Sequence, residues 1–264
     1  LQAGLLQGGA DGVFHFRHAL IRDAAYQSQT LDEREATHRR TAIALTSSAS
    51  ESRPELLAQH WAAGGEIHQA VSSWIAAGKL ASQHAASQEA LAHFRSGLGL
   101  IQKLPASPER GQMELDLHIG LGAAACSAQG YASAEGASAY AQAMTLCAQQ
   151  ASGPNMFRSV WGLWASASSR AGYAAALDLA EHLLNMASQS NDPVHDQQAR
   201  FAVADTLYWQ GEFGTARKHL EQIKALYHPA HHQRHVAEFG EDAGVTSGSY
   251  YSWVLWFLGF PDQA

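Results

Sequence analysis

An all-α fold of antiparallel helix pairs stacked in series is what this 264-residue sequence predicts, on three observations. Beyond Pro54 apolar residues recur at the helical period, in segments of about ten to twenty residues, the length of ordinary globular helices. Short breaks separate the segments at Gly64-Gly65, Leu104-Pro105, Gly130, Gly153-Pro154, Gly172, Asn191-Asp192-Pro193 and Gly211, where glycine caps one helix and proline opens the next. One unit also returns: "WASASSRAGYAAALDLAEHLLNMA" from Trp164, "DTLYWQGEFGTARKHLEQIKAL" from Asp205 and "SWVLWFLGFPDQA" from Ser252.

Taken in order, "GVFHFRH" at 12–18 alternates apolar and polar side chains and predicts one short strand, with little other sheet. From His18 the period changes: Leu20, Ile21, Ala24 and Ala25 recur at helical spacing. A second helix follows from Leu31 to about Thr46, with Ala36, Ile43 and Ala44 on its apolar side. "RHALIRD" (Arg17, His18, Arg22, Asp23) reads as a strand-to-helix corner with a solvated face. "TSSASESRP" at 46–54 reads as a linker, dividing the chain into 1–49 and 50–264. Helices are then expected near 54–64, 67–84, 86–103, 107–128, 133–151, 155–171, 174–190, 193–210, 213–226 and 246–258.

The recurring unit has an aromatic or Leu, then Gly, then an aromatic, then Ala. Gly130 to Gly172 is 42 residues, Gly172 to Gly211 is 39 and Gly211 to Gly259 is 48. These periods exceed that of a regular tetratricopeptide repeat, yet its G-x-[FY]-x-x-A core stands at Gly211, Phe213 and Ala216. Glycine at the turn lets two helices meet closely, Ala accepts the neighbour, and the aromatic fills the groove between pairs. No pair buries its apolar face alone, so the pairs stack into a tetratricopeptide-like, irregular superhelical solenoid with a concave surface suited to peptides, domains or ligands.

Composition excludes several functions. A net charge of -7 supplies no basic field for direct nucleic-acid binding. No run of eighteen apolar residues predicts a membrane span, and "LQAGLLQGGADG" has no signal-peptide pattern, so the chain reads as cytoplasmic. Cys126 and Cys147 lie in Ala-rich helical segments and read as buried free thiols. The chain opens without Met and stops at "GFPDQA", which reads as a piece of a longer protein. No phosphate loop occurs, and the glycines of "GLGLI" (97–101) and "GLGAA" (120–124) lie in helical patterns where they permit close packing. No G-x-S-x-G elbow occurs either. Catalytic residues and cofactors are accordingly expected to be none.

Two constellations remain. "YHPAHHQRHVAEFGEDAGV" (227–245) sets His228, His231, His232 and His235 in eight positions. A helix starting at Pro229 would align His231, His235 and Glu238 for a divalent metal, but His232 stands where an H-E-x-x-H helix needs its general base. A solvated connection between helices is favoured over metal. The seven tryptophans Trp61, Trp74, Trp161, Trp164, Trp209, Trp253 and Trp256 fall mostly in apolar helical stripes and read as core. If a small effector binds between repeats, it would meet Trp161, Trp164, Trp209 and Tyr208.

"FHFRHALIRDAAYQS" (14–28), "PELLAQHWAAGG" (54–65), "AVSSWIAAGKLASQHAASQEALAHFRSGLGLIQKLP" (70–105), "GEFGTARKHLEQIKALYHP" (211–229), "FGEDAGV" (239–245) and "WFLGFPDQA" (256–264) together resemble one family. It is the tetratricopeptide-like C-terminal region of bacterial STAND-type ATPase signalling proteins, often fused to a class III adenylate/guanylate cyclase, kinase or LuxR-type domain. The resemblance implies that 1–49 ends a winged-helix, ATPase-associated module and that the rest is a regulatory repeat region. That region would bind a protein partner, its own upstream ATPase or output domains, or a small effector; the alternative is the effector-sensing domain of a LuxR-type STAND transcriptional regulator. Within the histidine run the family-like positions are Tyr227, Pro229, His232, Gly240, Asp242, Gly244 and Val245, whereas His228, His231 and Glu238 depart from the pattern. On this reading Pro229 opens a short helix, and Gly240 with Gly244 turns the chain toward the helix of Trp253 and Trp256.

Overall fold

The structure, a computed structural model, describes residues 5–8, 14–47, 53–150 and 153–264. It divides into two compact units, Leu1–Trp74 and Ile75–Ala264, whereas the linker read from sequence lies at 46–54; residues 48–52 of that linker fall outside the described residues.

In the first unit, β1 (Leu6–Gly8) pairs antiparallel with β2 (Phe14–Phe16), Leu6 opposite Phe16. The sequence predicts only the second of these strands; "LQG" is too short to show alternation, and only pairing identifies it as a strand. Helix α1 (Ala19–Gln27) follows, then α2 (Leu31–Ser47) and α3 (Pro54–Ala63). A capping box starts α2: the Thr30 amide donates to Glu33 Oε2 (2.8 Å) and the Glu33 amide to Thr30 Oγ1 (3.3 Å). Pro54 opens α3 as its first residue. Helices α2 and α3 are joined by His38 Nδ1 and His60 Nδ1 at 2.9 Å and by Arg39 donating to the Gly64 carbonyl at 2.9 Å. Burial, with His38 beside it, holds the His60 imidazole below its ordinary range. None of the residues of α1 is buried, and α2 buries only Ala42; Ile43, expected on an apolar core side, is exposed.

The division falls inside α4 (Ile67–Gln83). The second unit continues with α5 (Ser87–Ile101), α6 (Pro108–Gln129), α7 (Ala134–Gln150), α8 (Gly153–Ser169), α9 (Tyr173–Ser190), α10 (Pro193–Trp209), α11 (Phe213–Leu226), α12 (His232–Phe239) and α13 (Ala243–Phe257), with 3₁₀ turns at Pro229–His231 and Pro261–Gln263. From α5 on, each long helix packs antiparallel against the next, so the second unit is an all-α array of stacked pairs. Helices α6, α8, α10 and α13 also meet one another along the array. They form the tighter layer, and α7, α9 and α11 the wider one. The long helices lie within a few residues of their expected places. Helix α13 starts three residues earlier than expected because the Asp242 carboxylate accepts the Gly244 amide and caps it.

One turn closes five helices. A residue with positive φ (Gly65, Ala85, Ala171, Gly211, Gly259) is followed by an amide that donates back across the helix end: Glu66 to Trp61, Ala86 to Ala81, Gly172 to Ala167, Glu212 to Leu207 and Phe260 to Leu255. This satisfies carbonyls that the helix leaves open. The break read at Gly172 is therefore made by Ala171 in the left-handed region, where glycine is favoured.

Glycines and rings set the helix spacing. A Cβ at Gly78 or Gly120 would lie 2.6 or 2.4 Å from the Phe94 ring, and one at Gly122 or Gly162 would lie 2.9 or 2.3 Å from the Tyr140 ring. Phe94 of α5 is thus received by glycines on α4 and α6, and Tyr140 of α7 by glycines on α6 and α8. These two glycines of "GLGAA" pack as the sequence suggests, while a Cβ added at Gly99 of "GLGLI" would enter open space. Cys126 and Cys147 are free and buried, and burial pushes the Cys126 thiol up to about 11.

We expect Gly120→Ala to lower stability by about 1–3 kcal/mol through overpacking against Phe94. Ala171→Gly should raise it by about 0.5–1 kcal/mol by relieving the left-handed backbone. Urea unfolding midpoints of the two variants, moving in opposite directions, check both.

Candidate functional site

The connection 227–242 is where most of the chain's unusual chemistry collects. Asp242 is its knot. Its carboxylate accepts the Gly244 amide at 2.8 Å, the Tyr227 hydroxyl at 3.1 Å and a His232 ring N–H at 2.7 Å. Burial raises the Asp242 carboxyl, but the bonds from His232, Gly244 and Tyr227 outweigh it and hold the group below the usual carboxylate range. Gly244 lies under the Tyr227 ring, where a Cβ would stand 2.0 Å from Cδ2. Gly240 takes φ +78, ending α12. The residues picked out by resemblance, Tyr227, His232, Gly240, Asp242 and Gly244, therefore meet in one place; Val245 is exposed beside it, and Pro229 opens the 3₁₀ turn.

The metal geometry considered for His231, His235 and Glu238 does not form. Among the described residues no group of three His, Cys, Asp or Glu side chains could hold a metal ion. His235 is fully buried, with both ring nitrogens engaged: Nε2 with Gln197 Oε1 at 2.8 Å and Nδ1 with Gln198 Nε2 at 3.1 Å. Glu238 accepts from Arg234 Nε at 2.6 Å, and Arg234 also donates to both Asp192 oxygens. Helical spacing aligns the three residues in sequence, but α12 turns His235 into the protein, while His231 stays half-buried in the 3₁₀ turn before it. The expected solvated connection also needs correction at His235 and Phe239, which are both buried.

His235 ends a line of buried polar groups. Trp161 Nε1 donates to Gln198 Oε1 at 3.1 Å, Gln198 Nε2 to His235, and Gln197 Nε2 to the Leu226 carbonyl at 2.8 Å. Farther along α10, Trp164 Nε1 donates to Thr206 Oγ1 at 3.0 Å, while Asp205 accepts from Ser168 Oγ at 2.8 Å and Trp209 Nε1 at 3.1 Å. Burial raises the Asp205 carboxyl against the opposing bonds from Tyr250, Ser168 and Trp209. Burial also pushes the Glu241 carboxyl up to about 7, despite its bond from Thr246 at 3.2 Å and with Asp205 and Asp242 nearby adding to the rise.

The tryptophans divide. Trp161 and Trp164 are buried with their N–H groups spoken for, so they present no open face to an effector between repeats. Trp209 (53% exposed), Trp253 and Trp256 (63%) reach the surface, correcting the expectation that they are core. Trp209, Trp253 and Phe257 border an aromatic face on α10, α11 and α13, with Trp256 next to Phe257 in the chain. In it Tyr208 stands within 6.1 Å of Trp209, Phe213, Tyr250, Trp253 and Phe257, and Phe213 stacks on Phe257 at 4.8 Å. Of the four residues named for an effector, only Trp209 and Tyr208 belong to this face. A signal existed in "YYSWVLWF" (250–257), which is apolar on all sides, the mark of a helix that needs cover all round.

No family model matches the chain. An uncharacterized protein of Rhizobium meliloti (strain 1021) is 26% identical over 257 residues, which are 93% of this chain and 24% of that protein. The chain thus spans about a quarter of the length of the curated relative it matches. Among solved structures, the crystal structure of BtubC (BKLC) from P. vanneervenii is similar at a TM-score of 0.55 with 12% identity, over 90% of this chain and 87% of that one. At that identity the likeness concerns the fold of stacked helices alone. Among the described residues no helix is long and apolar enough to cross a membrane.

Asp242→Ala removes a helix cap and two side-chain partners together, and we expect a loss of about 2–3 kcal/mol in urea unfolding. Glu241→Gln tests the raised carboxyl. Its folded pKa of about 7 lies above the ordinary 4.5, so the ionised form costs stability above pH 7 and nothing below the ordinary value. The variant should therefore be more stable than the parent at about pH 8, with the gain gone by about pH 4, measured as the difference in unfolding midpoints.

Proposed function

We propose that this chain is a non-catalytic regulatory region that binds protein: the helical-repeat part of a larger bacterial signal-transduction ATPase, associated with a cyclase, and acting in the cytoplasm. The observation that carries this reading is the exposed aromatic face of Trp209, Trp253, Trp256 and Phe257 at one end of a stacked-pair array. Solvent-exposed aromatic patches of this kind serve association. Two further facts support it. The first unit exposes Phe14, Leu20 (81%), Leu31 and Ile43, apolar residues that suit docking against upstream ATPase or output domains. The curated relative is about four times as long, which leaves room for such domains.

The effector-sensing alternative retains Trp209 and Tyr208 but loses Trp161 and Trp164, whose burial leaves no surface for a ligand. The protein-binding reading is therefore preferred.

The test uses the purified 264-residue chain. It should turn over neither ATP nor GTP, and it should bind the separately produced upstream part of its parent protein. Trp256→Ser with Phe257→Ser should weaken that binding at least about tenfold, the loss expected of an aromatic anchor. Nucleotide turnover by the chain, or binding unchanged by the double variant, would reject the proposal.

A further inference from the structure

Two residues, 191–192, join α9 to α10, whereas residues 227–242 lie between α11 and α13. It is α13 that continues the stack, packing on α11 and α10. Helix α12 is therefore additional, and it reaches backward. Phe239 is buried 5.4 Å from Trp161 and 5.9 Å from Phe157, both on α8, and 6.1 Å from His195 on α10. Gly240 comes close to Tyr131, just beyond α6; a Cβ there would stand 4.0 Å from its hydroxyl. A segment that touches α10, α8 and the end of α6 crosses the tighter layer of the array. It does not extend that layer.

Its hold is narrow. Of the eight residues of α12 only His235 and Phe239 are buried. His235 fits in one protonation state, as the partners dictate. The Trp161 indole N–H can only donate, so Gln198 must turn its oxygen to Trp161 and its NH₂ to His235 Nδ1, which must then accept. The Gln197 NH₂ is committed to the Leu226 carbonyl, so its oxygen faces Nε2, which must carry the proton. A second ring proton would meet a donor that cannot turn away without setting two N–H groups against each other.

We propose that residues 228–242 form a strap closing a groove between α8 and α10, lined by Phe157, Trp161, His195, Gln197 and Gln198, and that protonation of His235 releases it. The groove then takes a short amphipathic helix of a partner protein built like α12, with a neutral hydrogen-bonding side chain four residues before an aromatic. Around the imidazole, α10 presents the neutral Gln197 and Gln198, with His195 one turn away, and α8 presents Trp161. The charged or titratable groups are Asp242 ahead of α13, His231 in the 3₁₀ turn before α12, and Arg234 and Glu238 on α12. Burial holds His235 below its ordinary value, with His231 and Arg234 acting in the same direction and Asp242 and Glu238 opposing. At His235 the folded strap therefore binds fewer protons than the released one and is weakened as pH falls below about 6.5. The Glu241 carboxyl in the same segment, pushed up by burial to about 7, binds more and opposes this, so Glu241→Gln isolates the histidine.

This inference rests on reading the array as a protein-binding surface, and its first test needs no partner. Hydrogen exchange on the whole chain carrying Glu241→Gln should show the 228–242 amides opening about tenfold more at about pH 5.5 than at about pH 7.5, after correction for intrinsic rates, with α9 and α11 little changed. His235→Gln, which keeps a neutral donor and acceptor, should abolish the difference. His235→Lys should open the strap at the higher pH. The 228–242 peptide carrying H235Q should then bind the opened protein, either the Lys variant or the Glu241→Gln chain at the lower pH, and not the closed parent. Equal protection of the strap at both pH values, loss of protection throughout α8–α11 together with it, or an opened protein that ignores the peptide would each overturn the strap. None of these outcomes depends on the proposed ATPase association.

Discussion

Helix α10 is enclosed on nearly every side, and the second unit is organised by what that enclosure demands. Its neighbours are α9 and α11 as antiparallel partners, α8 and α13 along the layer, and α12 across the face. Buried residues occur around its whole circumference, including Gln197, Gln198, Asp205 and Thr206. A buried polar group without a partner costs as much as a lost hydrogen bond or more. Each of these groups must be met by a side chain or carbonyl from a helix far away in sequence. Trp161, Trp164 and Ser168 on α8 meet α10 from one side, and His235 from another. These bonds are directional, so they fix how far one pair slides along the next.

Apolar packing sets the distance, and the polar line sets the register. The rings of Phe94 and Tyr140 lie against glycines of neighbouring helices, which brings backbones close without saying where along the helix they should stop. The line from Trp161 to His235 supplies that stop. It also makes α12 part of the array's integrity while leaving most of α12 in solvent. A segment held by a few directional contacts and little apolar area is the kind of element that opens locally while the rest stays folded. The opposite case is the aromatic face of α13, where Trp256 and Phe257 are apolar and more than half exposed. One surface of the array is thus covered by the chain itself, and another exposes aromatic side chains.

Much of this was legible in the sequence. The helices, their breaks and the repeat at Gly172, Gly211 and Gly259 follow largely from local rules, since a glycine or proline that falls where the apolar period stops marks a helix end. The cap at Asp242 was not legible: the sequence places the start of this helix near 246, and only the structure shows the Asp242 carboxylate accepting the Gly244 amide. The histidine run was harder. Spacing places His231, His235 and Glu238 together on an isolated helix, yet His235 is turned to two glutamines in α10 and Glu238 to Arg234. The tryptophans misled for a related reason: an apolar stripe identifies a face that wants cover, not the cover itself. Trp161 has α10 and α12 over it, whereas Trp256 stays 63% exposed.

By itself, then, the sequence determined the all-α class, the paired helices and their lengths, because periodicity and capping act within a few residues of chain. Only the tertiary structure decided which side chains are buried, that α12 crosses the layer and does not join it, and that Asp205, Glu241 and His235 carry altered proton affinities. Those outcomes depend on groups about forty residues apart in the chain: Trp161 with Gln198, Gln198 with His235. Desolvation and hydrogen-bond direction come from all the neighbours of a group at once, and no local pattern contains them.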